Sequence, residues 1–122
     1  MTMPKKKILI VEDEAINALF LKRYLADDYE ITGITASGEE AVSMALKQLP
    51  DCIIMDIKLE GPLSGIDAIL KIQEKAPVNH IYCTAYSDES MIKKAMATHP
   101  AAILLKPLMM EDLMAELRKV TG

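Results

Sequence analysis

Residues 50–61 read PDCIIMDIKLEG, and the pattern of this stretch decides the architecture. Five of the six residues from Cys52 to Ile57 are apolar. A continuous apolar run of this length fits a strand buried on both faces, not one with a solvated side. Asp56 breaks the run. Burying an unpaired carboxylate is costly, so Asp56 needs either a partner or an exit from the core at the strand's end.

Four other short apolar runs accompany it: Ile8–Val11, Glu30–Ile34, His80–Cys83 and Ala101–Leu105. Helix-period segments alternate with the runs. Ile16, Leu19, Phe20 and Tyr24 fit the template of a core-facing helical stripe. So do Val42, Ala45, Leu46 and Leu49, then Ile66, Ile69 and Leu70, then Ile92, Ala95 and Met96, and finally Met110, Leu113, Met114 and Leu117. Ser37 followed by Glu40 reads as a capping box, Asp88 as the cap of the fourth helix, and Met109 stands where the last helix would want a polar cap. Strands alternating with helices imply a parallel sheet covered on both faces, a doubly wound α/β domain. Ligands of such sheets bind beyond the carboxyl ends of the strands.

The bulk composition narrows the function. Hydrophobic residues make up 51% of the 122 and charged residues 26%, which excludes a disordered chain. A net charge of −4 argues against nucleic acid as a partner. The run Lys5-Lys6-Lys7 reads as a solvated lead-in to the first strand. The sequence shows no signal peptide and no apolar run of the ~20 residues a membrane span needs, so the expectation is a cytoplasmic protein with no membrane partner. Cys52 and Cys83 sit in apolar runs and read as small core residues. His80 and His99 lack metal-ligand spacing.

Chemistry gathers at one edge. The first strand ends in Glu12 and Asp13, the third at Asp56, the fourth at Thr84 and the fifth at Lys106. Carboxylates sharing a pocket cannot all stay ionised unless a cation intervenes. An all-oxygen set without Cys or His favours Mg²⁺, which also takes a phosphate partner. Thr84 offers a hydroxyl and Lys106 a compact positive charge, suiting a tetrahedral dianion over Asp56. A carboxylate so flanked can attack phosphorus and form an acyl phosphate. The blander reading makes Asp13 and Asp56 ordinary helix-capping acids. It leaves the convergence of five complementary groups on four strand ends unexplained.

The segments VEDE, IIMDI, CTA and LLKPL, in this order and spacing, give the chain its resemblance to the response-regulator receiver domain of two-component signalling. The resemblance covers essentially the whole chain, 1–122, as a single domain. It implies a flavodoxin-like fold with five parallel strands in the order 2-1-3-4-5 and five helices. It implies that Asp56 accepts a phosphoryl group from a histidine kinase or phosphotransfer protein. Asp13, Asp56 and the backbone carbonyl of Lys58 would ligate Mg²⁺, with Glu12 helping directly or through water. Thr84 and Lys106 would contact the phosphoryl group, and the Lys106–Pro107 bond would be cis. The fourth helix, fifth strand and fifth helix would form the face that meets partners or a second copy. Such a domain is a signalling module that promotes its own phosphorylation and slow dephosphorylation, not a classical enzyme.

Departures from the family pattern carry their own expectations. Ile103 stands where an aromatic switch residue is common, so a rotating ring there is impossible; Tyr86 reads as a rim residue shielding the pocket. The loop from Ile57 to Ser64 is one residue longer than the commonest version and turns at Gly61-Pro62. Lys58 and Tyr86 are both large, which predicts slow self-dephosphorylation by restricting water. Met96, Met110 and Met114 are expected in the core and Met109 at the surface. The chain ends soon after the last helix, so a stand-alone regulator, a phosphate shuttle and a piece of a longer protein all remain open. The alternatives are a receiver-like module independent of phosphate, an aspartyl-phosphate phosphatase and a flavin carrier. Lys58 in place of a second acid disfavours the phosphatase, and the acidic EDEAIN loop disfavours the flavin carrier.

Overall fold

The apolar runs pair into one parallel sheet. A computed structural model describes residues 4–85 and 88–122. Its elements, in chain order, are β1 (Lys6–Val11), α1 (Ala15–Leu25), β2 (Tyr29–Thr35), α2 (Gly38–Gln48), β3 (Cys52–Met55), α3 (Gly65–Gln73), β4 (His80–Thr84), α4 (Glu89–Met96), β5 (Ala102–Leu105) and α5 (Met110–Thr121). The sheet order is β2-β1-β3-β4-β5, all parallel, so the flavodoxin-like α/β topology is in place. No helix among the described residues is long and apolar enough to cross a membrane.

Alternate residues of each strand point to opposite faces, and this divides the core in two. Ile8, Ile10, Cys52, Ile54, Ile81 and Cys83 pack under α1 and α5 through Leu21, Leu25, Leu113 and Leu117. Leu9, Val11, Ile53, Met55 and Tyr82 pack under α2, α3 and α4 through Ala41, Ala45, Ile69, Ile72 and Ala95. A strand covered on both sides has no polar face, which is why β3 and β4 are buried throughout. Cys52 and Cys83 are free, buried thiols. The basic run is partly inside the sheet: Lys6 and Lys7 open β1 with exposed side chains. β2 slips by one residue against β1 between Ile8 and Leu9, and the extra residue, Thr32, donates its hydroxyl to the Ile8 carbonyl at 3.3 Å.

Several helix faces differ from their periodicity. Ile16, Leu19, Phe20 and Tyr24 are exposed, Ile16 by 83%, while α1 buries Ala18, Leu21 and Leu25. Both stripes satisfy a helical period, and small Ala18 lets the helix lie close on the sheet, a choice that hydropathy alone does not encode. Leu49, Leu70 and Met96 also face outward, so Met96 is corrected from core to surface; Met114 is buried and Met109 exposed. The caps differ too. Ser37 accepts from the Glu40 amide at 3.1 Å, but the reciprocal bond is not formed among the described residues. The complete capping box is Ser64 with Asp67 at the start of α3. Asp88 and Met109 occupy cap positions without a side-chain cap bond.

Candidate functional site

The residues just past β1, β3 and β5 are each held by one more rung of the sheet. The Glu12 amide donates to the Thr35 carbonyl at 2.9 Å, the Asp56 amide to the Val11 carbonyl at 2.9 Å, and the Lys106 amide to the Thr84 carbonyl at 2.8 Å. The backbone therefore fixes three side chains from β1, β3 and β5 at one edge, beside the point where strand order reverses between β1 and β3. Gly65 completes the placement of Asp56. A Cβ there would overlap the Asp56 carbonyl oxygen and lie 2.8 Å from Met55 Cγ, so only glycine lets α3 start this close.

The side chains converge. Carboxylate oxygens of Glu12, Asp13 and Asp56 lie within 4.8 Å of one another, with Asp13 the most exposed. Lys106 Nζ donates to Glu12 Oε1 at 2.8 Å and to Asp56 Oδ2 at 3.0 Å. Glu12 Oε2 accepts the Glu14 amide at 3.1 Å. Burial pushes the Asp56 carboxyl up to about 6, helped by the Glu12 charge and opposed by the Lys106 ammonium. At Glu12 burial also pushes upward, but the Lys106 and Glu14 bonds outweigh it and the carboxyl ends below its ordinary value. Lys106 is raised: burial favours its neutral form, and two carboxylates overcome that. The pocket is thus a dense negative cluster with Lys106 in contact.

Thr84 is fully buried at the end of β4, and the Lys106–Pro107 peptide is cis. Lys58 lies two residues beyond Asp56 in the loop to α3. Tyr86 falls outside the described residues. Ile103 sits beside Tyr82 in the β4–β5 register and packs against the α2–α3–α4 side of the core. A cavity of about 300 Å³ adjoins the cluster and is lined by Glu12 and Lys106 together with Asn17, Phe20, Pro107 and Met110. The donor set of three carboxylates, with no thiol or imidazole, fits Mg²⁺.

The sequence pattern of the response regulator receiver domain matches residues 8–118. The chain belongs to this family. Transcriptional regulatory protein PdtaR of Mycobacterium tuberculosis is 36% identical to this receiver over 109 residues, spanning 88% of this chain and 53% of that protein. The protein-glutamate methylesterase/protein-glutamine glutaminase 2 of Paramagnetospirillum magneticum is 35% identical over 94 residues, which are 75% of this chain and 26% of that protein. The chain thus spans about half or less of the length of these relatives. The response regulator domain of Thermotoga maritima CheB superposes with a TM-score of 0.86 at 26% identity, covering 95% of this chain and 96% of that one.

Two features of the receiver site escaped the sequence reading. Gly65 is a close-approach glycine, legible only once Asp56 and the helix start are known to touch. The Ser64-to-Asp67 box was available from its spacing.

Proposed function

We propose that Asp56 is the phosphoacceptor of a two-component phosphorelay and takes its phosphoryl group from a histidine kinase or phosphotransfer protein. An Asp56 carboxylate oxygen bonds to phosphorus as the donor's imidazole leaves, giving an acyl phosphate. Glu12, Asp13, Asp56 and the Lys58 carbonyl would hold Mg²⁺, which neutralises charge on the transferring group when bound. Lys106 already touches Asp56 and would move its ammonium to the phosphoryl oxygens. Thr84, at the end of the neighbouring strand, would donate its hydroxyl to the same group. The observation that carries this reading is the meeting of three carboxylates and one lysine, from three strand ends, around a single acceptor.

Partner surfaces support it. Phe20 lines the cavity that contains Glu12 and Lys106, so the exposed stripe of α1 adjoins the acidic pocket and gives a phosphodonor an apolar landing. Met96, Leu105 and Met109 are exposed on α4, on β5 and at the start of α5, where a second copy or a target would bind.

The test is incubation with Mg²⁺ and acetyl phosphate, read by intact mass in the unsubstituted chain and in Asp56→Ala. One added phosphoryl group in the first alone supports the proposal. No gain in either, under conditions that load a control receiver, favours the phosphate-independent module; a gain that survives Asp56→Ala moves the acceptor elsewhere.

A further inference from the structure

We propose that Glu39, on α2, is a positioning residue for the loop that carries the Lys58 carbonyl to the metal. This inference rests on the proposed function. The loop from Ile57 to Ser64 does not hang free beside the site. The Glu60 amide donates to the Ala36 carbonyl at 3.3 Å, and Glu60 bridges Ser37 in parallel β fashion. Farther along, the Leu63 amide donates to Glu39 Oε1 at 3.2 Å.

The local chemistry explains why a carboxylate is used. Pro62 has no N–H, so Leu63 is the next amide after the turn able to donate. Gly61 has φ +85°, a conformation glycine adopts freely, and a Cβ there would stand 3.1 Å from Glu39 Oε2. The carboxylate therefore sits in the crook of the Gly61–Leu63 turn. The loop also lies directly on the start of α2: a Cβ on Gly38 would be 2.8 Å from Leu63 Cβ. Glu39 itself belongs in the first turn of its helix, where the exposed amides favour a negative charge.

The pinned segment begins two residues after Lys58. At its other end the Gly65 amide closes on the Ile57 carbonyl at 2.7 Å. Tethers on both sides limit how far the Lys58 carbonyl can stray from the Asp56 carboxylate. Groups that orient metal ligands from outside the coordination sphere commonly govern affinity. Losing such a group typically costs roughly 10- to 100-fold in metal affinity, and Glu39 is exposed, so its effect should fall at or below the bottom of that range.

The experiment compares the unsubstituted chain with Glu39→Ala and Glu39→Gln in Mg²⁺ titration calorimetry and amide hydrogen exchange, with thermal melts to confirm that each variant folds. Glu39→Ala should speed exchange at Leu63 and the neighbouring loop amides without metal, and raise the Mg²⁺ Kd roughly three- to tenfold. Glu39→Gln keeps the acceptor oxygen and should restore both. If Glu39→Gln weakens Mg²⁺ binding as much as Glu39→Ala, the carboxylate acts through charge and positioning is wrong. Unchanged Mg²⁺ affinity in Glu39→Ala overturns the inference alone. Failure of the unsubstituted chain to bind Mg²⁺ overturns the functional reading and this inference with it.

Discussion

Lys106 Nζ stands 3.0 Å from Asp56 Oδ2, joining the end of β5 to the end of β3 across the carboxyl edge of the sheet. The same ammonium reaches Glu12 at 2.8 Å, so one cation holds two buried acids. Buried ion pairs are poor sources of stability, because desolvation offsets most of the attraction. On the proposed function the arrangement is preparation: a positive charge is held in contact with Asp56 before any phosphoryl group arrives.

Asp56 should therefore cost the metal-free fold stability. Its folded carboxyl is raised from 3.8 to about 6, so the fold prefers the protonated form. Below the unfolded value both states hold the proton and nothing is lost; as pH climbs to 6 the folded state is progressively penalised. Asp56→Asn should raise stability by about 1–3 kcal/mol at pH 7.5 in EDTA. The gain should vanish near pH 4. Urea denaturation at the two pH values checks this, and equal stabilities at pH 7.5 would sink it.

Removing the cation should have the opposite sign. Lys106→Met removes the ammonium that bridges Glu12 and Asp56 and leaves the two carboxylates facing each other. Lys106 is 20% exposed at its side chain, which tempers the loss to about 2–4 kcal/mol at pH 7.5 without metal. Mg²⁺ should then stabilise Lys106→Met more than the unsubstituted chain, because it supplies the missing charge. Paired thermal melts with and without Mg²⁺ measure the difference; an identical Mg²⁺-induced shift in both would refute the account.

The sheet and its chemical edge were legible because both depend on short, strongly patterned segments. Continuous apolar runs fix parallel strands, and the residue after each run must then emerge at the rim. Glu12, Asp13, Asp56, Thr84 and Lys106 follow from that geometry once strand ends are known. Helix facing was less legible. α1 carries two apolar stripes, and only packing against the sheet selects Ala18, Leu21 and Leu25 over Ile16, Phe20 and Tyr24. Contacts between segments distant in sequence, such as Glu39 on α2 with Leu63 in the loop before α3, leave no periodic trace at all.

The facing of α1 can be tested directly. Ile16→Ser and Phe20→Ser should change stability by less than about 0.5 kcal/mol, as exposed positions do. Leu21→Ala should cost roughly 2–4 kcal/mol through the cavity it leaves. Chemical denaturation separates the two facings cleanly: large losses at Ile16 and Phe20 with little at Leu21 would reverse the assignment. Phe20→Ser should also slow transfer from a phosphohistidine donor while sparing uptake from acetyl phosphate, as a lost landing surface requires.

Thr98 ties α4 to the sheet, and this node predicts a second pH dependence of opposite sign. Its hydroxyl donates to the Ala95 carbonyl at 2.6 Å, so it can only accept from Tyr82 OH at 2.8 Å and from His80 Nε2 at 3.0 Å. His80 thereby donates from Nε2 to Thr98, and the Val78 backbone only partly offsets the cost of charging the buried ring. Thr98→Val strands both donors and should cost about 2–4 kcal/mol, whereas Thr98→Ser should cost little. Burial lowers the His80 pKa from its ordinary 6.5, so on acidification the unfolded chain takes the proton first. Stability held above 6.5 is lost as pH falls below it, while Asp56 gains as pH falls through about 6. The two effects partly cancel in the unsubstituted chain and should separate in Asp56→Asn, whose metal-free stability should fall more steeply between pH 7 and pH 5. Urea midpoints across that interval decide it: a flat Asp56→Asn profile would mean that His80 does not stay neutral in the fold, and parallel slopes that Asp56 does not titrate there.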